Sequence, residues 1–313
     1  VKIQKQQAMR NVLIALCPAA VGAIYFFGWR FVAVLAVVVA VAVFSEWLMA
    51  KRYNLKVTES VFVTSLLFAL SLPPALPLWM AALGIAFGIV FGKMVFGGFG
   101  KNVFNPAITA RAFVYISFGV PMTGRFVLPQ TALNWFPGGL GTWLTKADVV
   151  SAATPMIAQN SSYLELLFGP VSGSFGETSA LLLIIGGLYI VYKKVANWKI
   201  VVGSISSFLI FQTILFLGGV NGALNPLYAL LSGSFLLGAF FMVTDPVSSS
   251  QSTDLGRWVY GILFGLLTVL IRVFSSWAEG VTFAILLVNM FGPLFDHYFK
   301  QLKAKKKVAG GNA

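Results

Sequence analysis

Few residues in this 313-residue chain have the types and spacing to do chemistry, and they fall in three places. The first is the string Asp148-Val149-Val150-Ser151-Ala152-Ala153-Thr154, a carboxylate and two hydroxyls among small residues, stopped by Pro155. It lies in the longest non-apolar interval of the chain, and Thr154 offers an alcohol that another enzyme can modify, with Asp148, Ser151 and Ala153 as its neighbours. The plain alternative is a chance string marking a turn. The second place is the set of charges in otherwise apolar stretches, Arg111, Glu46 and Asp245. A charge there must face a partner or a polar cavity rather than lipid, which makes these residues candidates for an ion or cofactor path. Glu46, Glu59 and Asp245 are the candidate partners of Arg111, and a structural ion pair is the plain alternative. Glu46 also has a second plain reading, snorkelling to the interface or pairing with Arg52.

The third place is Gly97-Gly98-Phe99-Gly100-Lys101-Asn102, which is not a phosphate loop. No glycine stands five positions before Gly100, and Asn102 replaces the hydroxyl that would hold magnesium. The Asn105-Pro106 pair that follows reads as a helix start, with Asn capping free amides and Pro at the first helical position. Asp245 closes an apolar segment, where a helix C-terminus disfavours an anion, so it needs a cationic or hydrogen-bonding partner. One cysteine, Cys17, and one histidine, His297, exclude a self-contained zinc, iron–sulfur or bis-histidine haem site. His297, beside Asp296 and Lys300, reads as part of an interfacial end cluster.

The elements that must position these residues are membrane helices. The chain is 58% hydrophobic and 10% charged, with mean hydropathy +0.87, against roughly 25% charged residues in an average soluble domain. Ten apolar segments can be drawn, at 11–29, 31–50, 59–76, 78–97, 105–120, 179–195, 199–219, 226–244, 257–275 and 279–298. Each is expected to be helical, because an unbroken run must satisfy its own backbone in lipid. Tryptophans 29, 47, 79, 198, 258 and 277 fall near the segment ends, as an interfacial belt requires.

Net charge +13 does not point to nucleic acid, because the basic residues cluster between the apolar segments. With the N-terminus in the cytoplasm, seventeen fall on the cytoplasmic side. They are Lys2, Lys5, Arg10, Lys51, Arg52, Lys56, Lys93, Lys101, Lys193, Lys194, Lys199, Arg257 and the five tail lysines. Four fall outside, Arg30, Arg125, Lys146 and Arg272. That asymmetry places both termini in the cytoplasm and the interval 121–178, with Thr154, outside. The glycine pairs Gly84/Gly88 and Gly261/Gly265 hint at two halves of opposite orientation, though small residues at that spacing also simply pack helices. The expected fold is therefore an all-α integral membrane protein with about ten transmembrane helices in two inverted five-helix repeats. Residues 1–120 form the first repeat, 121–178 the extracytoplasmic loop, 179–299 the second repeat and 300–313 a basic cytoplasmic tail.

Four strings carry a family resemblance. They are GKMVFGGFGKNVFNPAITARAF from Gly92, DVVSAATP from Asp148, GAFFMVTDPVSSS from Gly238, and LIRVF with EGVTFAILLVNMFGPLFDHY toward the end. Together they resemble the NqrB/RnfD family, the B subunit of sodium-translocating NADH:quinone reductase and the homologous D subunit of the Rnf complex. The likeness covers nearly the whole chain in order. The resemblance implies a flavoprotein subunit of an ion-translocating redox complex in the inner membrane, moving Na+ or H+. It implies FMN joined to Thr154 as a phosphothreonyl diester by a flavin transferase that reads D-x-x-[ST]-[GA]-A-T, and room for a second, non-covalent flavin such as riboflavin. Val149 and Ala152 stand where the family commonly has glycine. The short segment ahead of the first span favours the Rnf D subunit, working between ferredoxin or NAD(H) and the other members of the complex; the quinone-reductase B subunit is the alternative. From another class, a urea-channel-like permease without redox cofactor would share the inverted-repeat plan.

Overall fold

Asn105 and Pro106 start a helix as their types dictate: the Asn105 side chain accepts the Ala107 amide at 3.0 Å, and Pro106 opens the helix Pro106–Ser117. The computed structural model describes residues 3–124, 126–129, 138–141, 154–250, 252–275 and 280–310, with side chains described through residue 304. In chain order the helices are α1 Gln7–Phe27, α2 Arg30–Arg52, α3 Ser60–Leu70, α4 Leu78–Ile89, α5 Pro106–Ser117, α6 Gly119–Thr123, α7 Pro155–Ala158, α8 Tyr163–Phe168, α9 Ala180–Tyr192, α10 Trp198–Leu217, α11 Pro226–Leu231, α12 Phe235–Leu237, α13 Asp254–Phe274 and α14 Val281–Gly310. Two π turns, Val90–Met94 and Gly238–Met242, extend α4 and α12. The two-residue strands β1 Ile3–Gln4 and β2 Val57–Thr58 pair in parallel.

The chain is an all-α, multi-pass membrane protein. Five helices are long and apolar enough to cross a membrane: α1, α2, α10, α13 and α14 through Ala304. Three shorter apolar helices span Ser60–Leu70, Leu78–Met94 and Ala180–Tyr192. Every one of the ten apolar segments contains helix, but three are broken. Segment 59–76 stops its helix at Ser71, ahead of Pro73-Pro74; segment 105–120 breaks at Phe118; segment 226–244 breaks at Ser232-Gly233-Ser234, where Gly233 takes φ +70. Irregular backbone at such depth is tolerated only where protein or a polar cavity surrounds it, and Ser71, Ser232 and Ser234 are buried.

Helix pairing follows a regular plan. Helix α2 packs on α3 and α4, and α4 on α5; likewise α10 packs on α11 and α13, and α13 on α14. Between the halves, α1 meets α9 and α5 meets α14. The paired glycines are packing devices. A Cβ at Gly88 would come 2.5 Å from the Pro106 carbonyl of α5, and one at Gly261 would come 2.5 Å from the Ile200 carbonyl of α10. The two pairs thus face different neighbours, so their shared spacing serves close helix approach rather than marking equivalent positions.

The interval after α6 is irregular, as its composition predicts, but its end is not a surface loop. Every residue from Val171 to Ala180 is buried. The Phe175 and Gly176 amides donate to the Leu72 and Leu70 carbonyls at 3.1 and 2.7 Å, closing the open end of α3. Earlier in the interval, Trp29 Nε1 donates to the Leu140 carbonyl at 2.8 Å, tying the short 3-10 turn Gly138–Gly141 to the α1–α2 corner.

Candidate functional site

Thr154 immediately precedes α7 and sits in its cap position, yet its side chain makes no cap hydrogen bond. The residue is 8% exposed and lines a small cavity of about 240 Å³ with Leu166, Ser172, Gly173, Glu177, Ser232 and Gly233 among its walls. Tyr228 fixes the adjoining peptide by donating its hydroxyl to the Pro155 carbonyl at 3.2 Å. Helix α8 holds the next corner with a reciprocal cap: Ser162 Oγ accepts the Glu165 amide and Glu165 accepts the Ser162 amide. The upstream members of the string, Asp148, Ser151 and Ala153, lie outside the described residues.

Arg111 is tied to the wall of the same cavity by a residue that its sequence surroundings do not suggest. Its partner is Glu177, with Nη2 3.4 Å from Oε1 and both side chains at most 3% exposed, and its Nη1 also donates to the Ser71 carbonyl at the end of α3. Glu46, Glu59 and Asp245 are thus not the ion-pair partners expected for Arg111. Glu177 sits in a Gly/Ser/Thr-rich stretch with the composition of an exposed loop, and only its burial reveals the pairing. The one local signal is a lone carboxylate immediately before an apolar segment.

Gly233 forms the opposite wall. A Cβ there would fall 2.7 Å from Met156 Sδ and 3.2 Å from Arg272 Nη2. Arg272 in turn donates Nη1 to the Ala229 carbonyl at 2.9 Å, near the end of α11. Its guanidinium lies 5.5 Å from the Phe208 ring centre and 5.9 Å from that of Phe235.

A second polar centre is built around Lys93. The reading that placed Lys93 on a membrane surface is corrected: the residue is 1% exposed, and its ammonium donates to Glu46 Oε2 at 2.6 Å and to Thr58 Oγ1 and Ser60 Oγ at 2.8 Å each. All three ammonium protons therefore find oxygen. The Val90–Met94 π turn re-aims the side chain inward, a common use of such turns. Glu46 neither snorkels nor pairs with Arg52; it is 1% exposed and also accepts the Thr58 amide at 2.9 Å. Glu59 pairs instead with Arg10 at 2.6 Å.

Asp245 meets the expectation of a hydrogen-bonding partner, accepting Ser248 Oγ at 2.7 Å and the Ser248 amide at 3.3 Å. With Lys93, Ser60, Asn102, Asn105, Phe99 and Phe241 it lines a narrow cavity of about 610 Å³, within the range of small-molecule sites. Asp296 accepts the Ser250 hydroxyl at 2.5 Å, and His297 contacts Gln301, in keeping with an end cluster. Among the described residues no group of three or more His, Cys, Asp or Glu could hold a metal ion.

Comparison with known proteins sets this geometry in context. Residues 1–305 match the family described as "NQR2, RnfD, RnfE family". The B subunit of the Na(+)-translocating NADH-quinone reductase of Ectopseudomonas mendocina (strain ymp) is 42% identical over 286 residues, covering 89% of this chain and 69% of the relative. The corresponding B subunit of Pseudoalteromonas atlantica is 40% identical over the same shares of the two chains. That of Neisseria meningitidis serogroup B is 40% identical over 299 residues, 93% of this chain and 70% of the relative. These relatives favour the quinone-reductase type of subunit over the Rnf type that the short leading segment suggests.

Proposed function

The chain belongs to the NQR2, RnfD, RnfE family, and from that premise we propose that it is the B-type membrane subunit of a sodium-translocating NADH:quinone reductase complex. It carries FMN as a phosphodiester on Thr154, attached by a flavin transferase, and works only with the other members of the complex. The observation that carries this reading is the seat of Thr154. Its hydroxyl is not spent on capping α7, and the residue lines a cavity walled by a buried carboxylate that is already paired with Arg111. At about 240 Å³ the cavity suits the phosphate end of the group and not the whole nucleotide.

When bound, the flavin supplies the electron-transfer chemistry. The chain supplies the rest. Thr154 provides the attachment oxygen, Tyr228 and the α8 cap hold the adjoining backbone, and Leu166 and Val171 give the cavity its apolar, water-excluding side. Glu46 and Asp245 line or border the larger cavity, where the second, non-covalent flavin and the path of the coupling ion are proposed. Its mixture of aromatic walls with amide, hydroxyl and carboxylate groups suits a planar, polar-edged ring.

The two five-helix halves are proposed as inverted repeats. Support comes from the helix pairing, in which α2, α3, α4 and α5 associate in the same order as α10, α11, α13 and α14, while first meets sixth and fifth meets tenth. The basic residues support cytoplasmic termini and an extracytoplasmic Thr154, with sixteen against four once buried Lys93 is set aside.

Denaturing electrophoresis after co-expression with a flavin transferase tests the proposal. A fluorescent wild-type band that disappears in Thr154→Ala supports it. A dark wild-type band overturns it and leaves the permease reading in its place, while full turnover of a complex containing Thr154→Ala reduces the chain to a scaffold.

A further inference from the structure

We propose that Arg272 is the counter-cation of the phosphodiester on Thr154, reached through the notch left open at Gly233. This rests on the flavin attachment proposed above and assigns that site a residue its sequence motif does not contain.

Three observations converge. Gly233 is a wall of the Thr154 cavity. It adopts φ +70, which favours glycine, and a Cβ at this position would meet both Met156 Sδ, two residues after Thr154, and Arg272 Nη2. The absence of a side chain at Gly233 is therefore what lets the Thr154 segment and the guanidinium approach each other. Arg272 is also held in a fixed pose before any ligand arrives: Nη1 caps the Ala229 carbonyl, and the Phe208 and Phe235 rings, stacked at 4.1 Å between centres, lie beside the guanidinium. The planar fork of arginine can cap a carbonyl with one nitrogen and present another to a phosphate oxygen, which a lysine ammonium does less well.

Charge balance gives the arrangement its reason. The cavity already holds one carboxylate, Glu177, and that charge is matched by Arg111. A phosphodiester on Thr154 adds a second negative charge at a buried site, where an unmatched charge is costly. Arg272 is the described cation next to the wall opposite Glu177, so pairing it with the diester matches the added charge.

The test uses the full chain co-expressed with a flavin transferase and reads both in-gel flavin fluorescence and the 31P resonance of the attached diester. Arg272→Gln is expected to shift and broaden that resonance, Arg272→Lys to restore much of it, and Gly233→Ala to reproduce the loss by closing the notch while leaving every charge in place. If Arg272→Gln lowers thermal stability but its fluorescent band gives the wild-type 31P signal, Arg272 is only a cap for α11 and the proposal is overturned. Should Arg272→Gln fail to fold, a wild-type 31P signal in both Arg272→Lys and Gly233→Ala overturns it equally. A wild-type band without fluorescence overturns the attachment itself, a different failure recognisable before any variant is made.

Discussion

Lys93 Nζ lies 2.6 Å from Glu46 Oε2, with both side chains at most 2% exposed, and this pair joins α2 to the π turn that ends α4. Thr58 and Ser60 complete the oxygen set around the ammonium, so the same contact also fixes the chain between α2 and α3. A buried pair of this kind is far more costly to break on one side than to remove whole, because one-sided loss strands a charge. Glu46→Gln or Lys93→Met alone should therefore destabilise the detergent-solubilised protein by about 3–5 kcal/mol. The double variant should recover part of that loss. Thermal unfolding of the three proteins checks this, and additive losses would show that the two charges do not act as a pair.

Glu59 gives a pH dependence with a definite sign. Its bidentate contact with Arg10, followed by the Gln6 amide, holds its carboxyl below the ordinary carboxylate range. A carboxyl lowered on folding contributes stability that is complete above the unfolded pKa of about 4.3 and is lost as pH falls through the folded value. The clasp of β1 on β2 should accordingly stay closed at neutral pH and open in acid below the usual carboxylate range. Hydrogen exchange at the Gln6 amide measures it. In Glu59→Gln the acid-dependent rise in exchange should be absent, and a persistent rise would assign the opening to another group.

The glycine pairs predict contrasting outcomes. A Cβ at Gly265 would collide with Ser207 Oγ and the Ser204 carbonyl of α10 and lie 2.8 Å from the Phe208 amide, whereas one at Gly119 meets nothing within 4 Å. Gly265→Ala must push α13 off α10 and should cost about 1–3 kcal/mol. Gly119→Ala should cost nothing, since alanine is the better helix former. Equal melting temperatures for the two variants would remove close helix approach as the reason for Gly265.

The contrast between legible and hidden features follows from how charge and polarity are satisfied. Apolar length locates helix in all ten segments because the bilayer demands internally bonded backbone. The breaks at Ser71 and Ser232-Gly233-Ser234 are hidden because the surrounding residues are apolar enough to read as continuous spans. The Asn105-Pro106 start is legible because a cap is local. A second such start, Asn225-Pro226, has the same chemistry and opens α11. Lys93 is misplaced by its sequence because a basic residue near a segment end usually marks the surface, and nothing local announces a π turn. Glu177 escapes notice for the converse reason: its Gly-Ser-Phe-Gly neighbourhood resembles exposed loop, although its polar groups are matched within the protein.

Glu177 also shapes the segment that carries it, and this supports a final prediction. Oε1 faces Arg111 while Oε2 accepts the Ser174 amide at 3.4 Å, folding Ser174–Glu177 into a turn whose Phe175 and Gly176 amides close α3. Arg111 pins the same end by donating to the Ser71 carbonyl. Neutralising the carboxylate removes the charge that Arg111 balances and weakens the turn, so the segment should loosen from α3 before the helices separate. The readout is a cysteine at Ser174, which is fully buried, placed in a Cys17→Ser background because Cys17 is exposed. Ser174→Cys should resist a maleimide reagent in otherwise wild-type protein and react readily once Glu177→Gln is added. Arg111→Met should expose it too, by releasing Ser71 and leaving Glu177 unbalanced. Protection that survives both changes would mean that backbone bonds to Leu70 and Leu72 hold the segment without the ion pair.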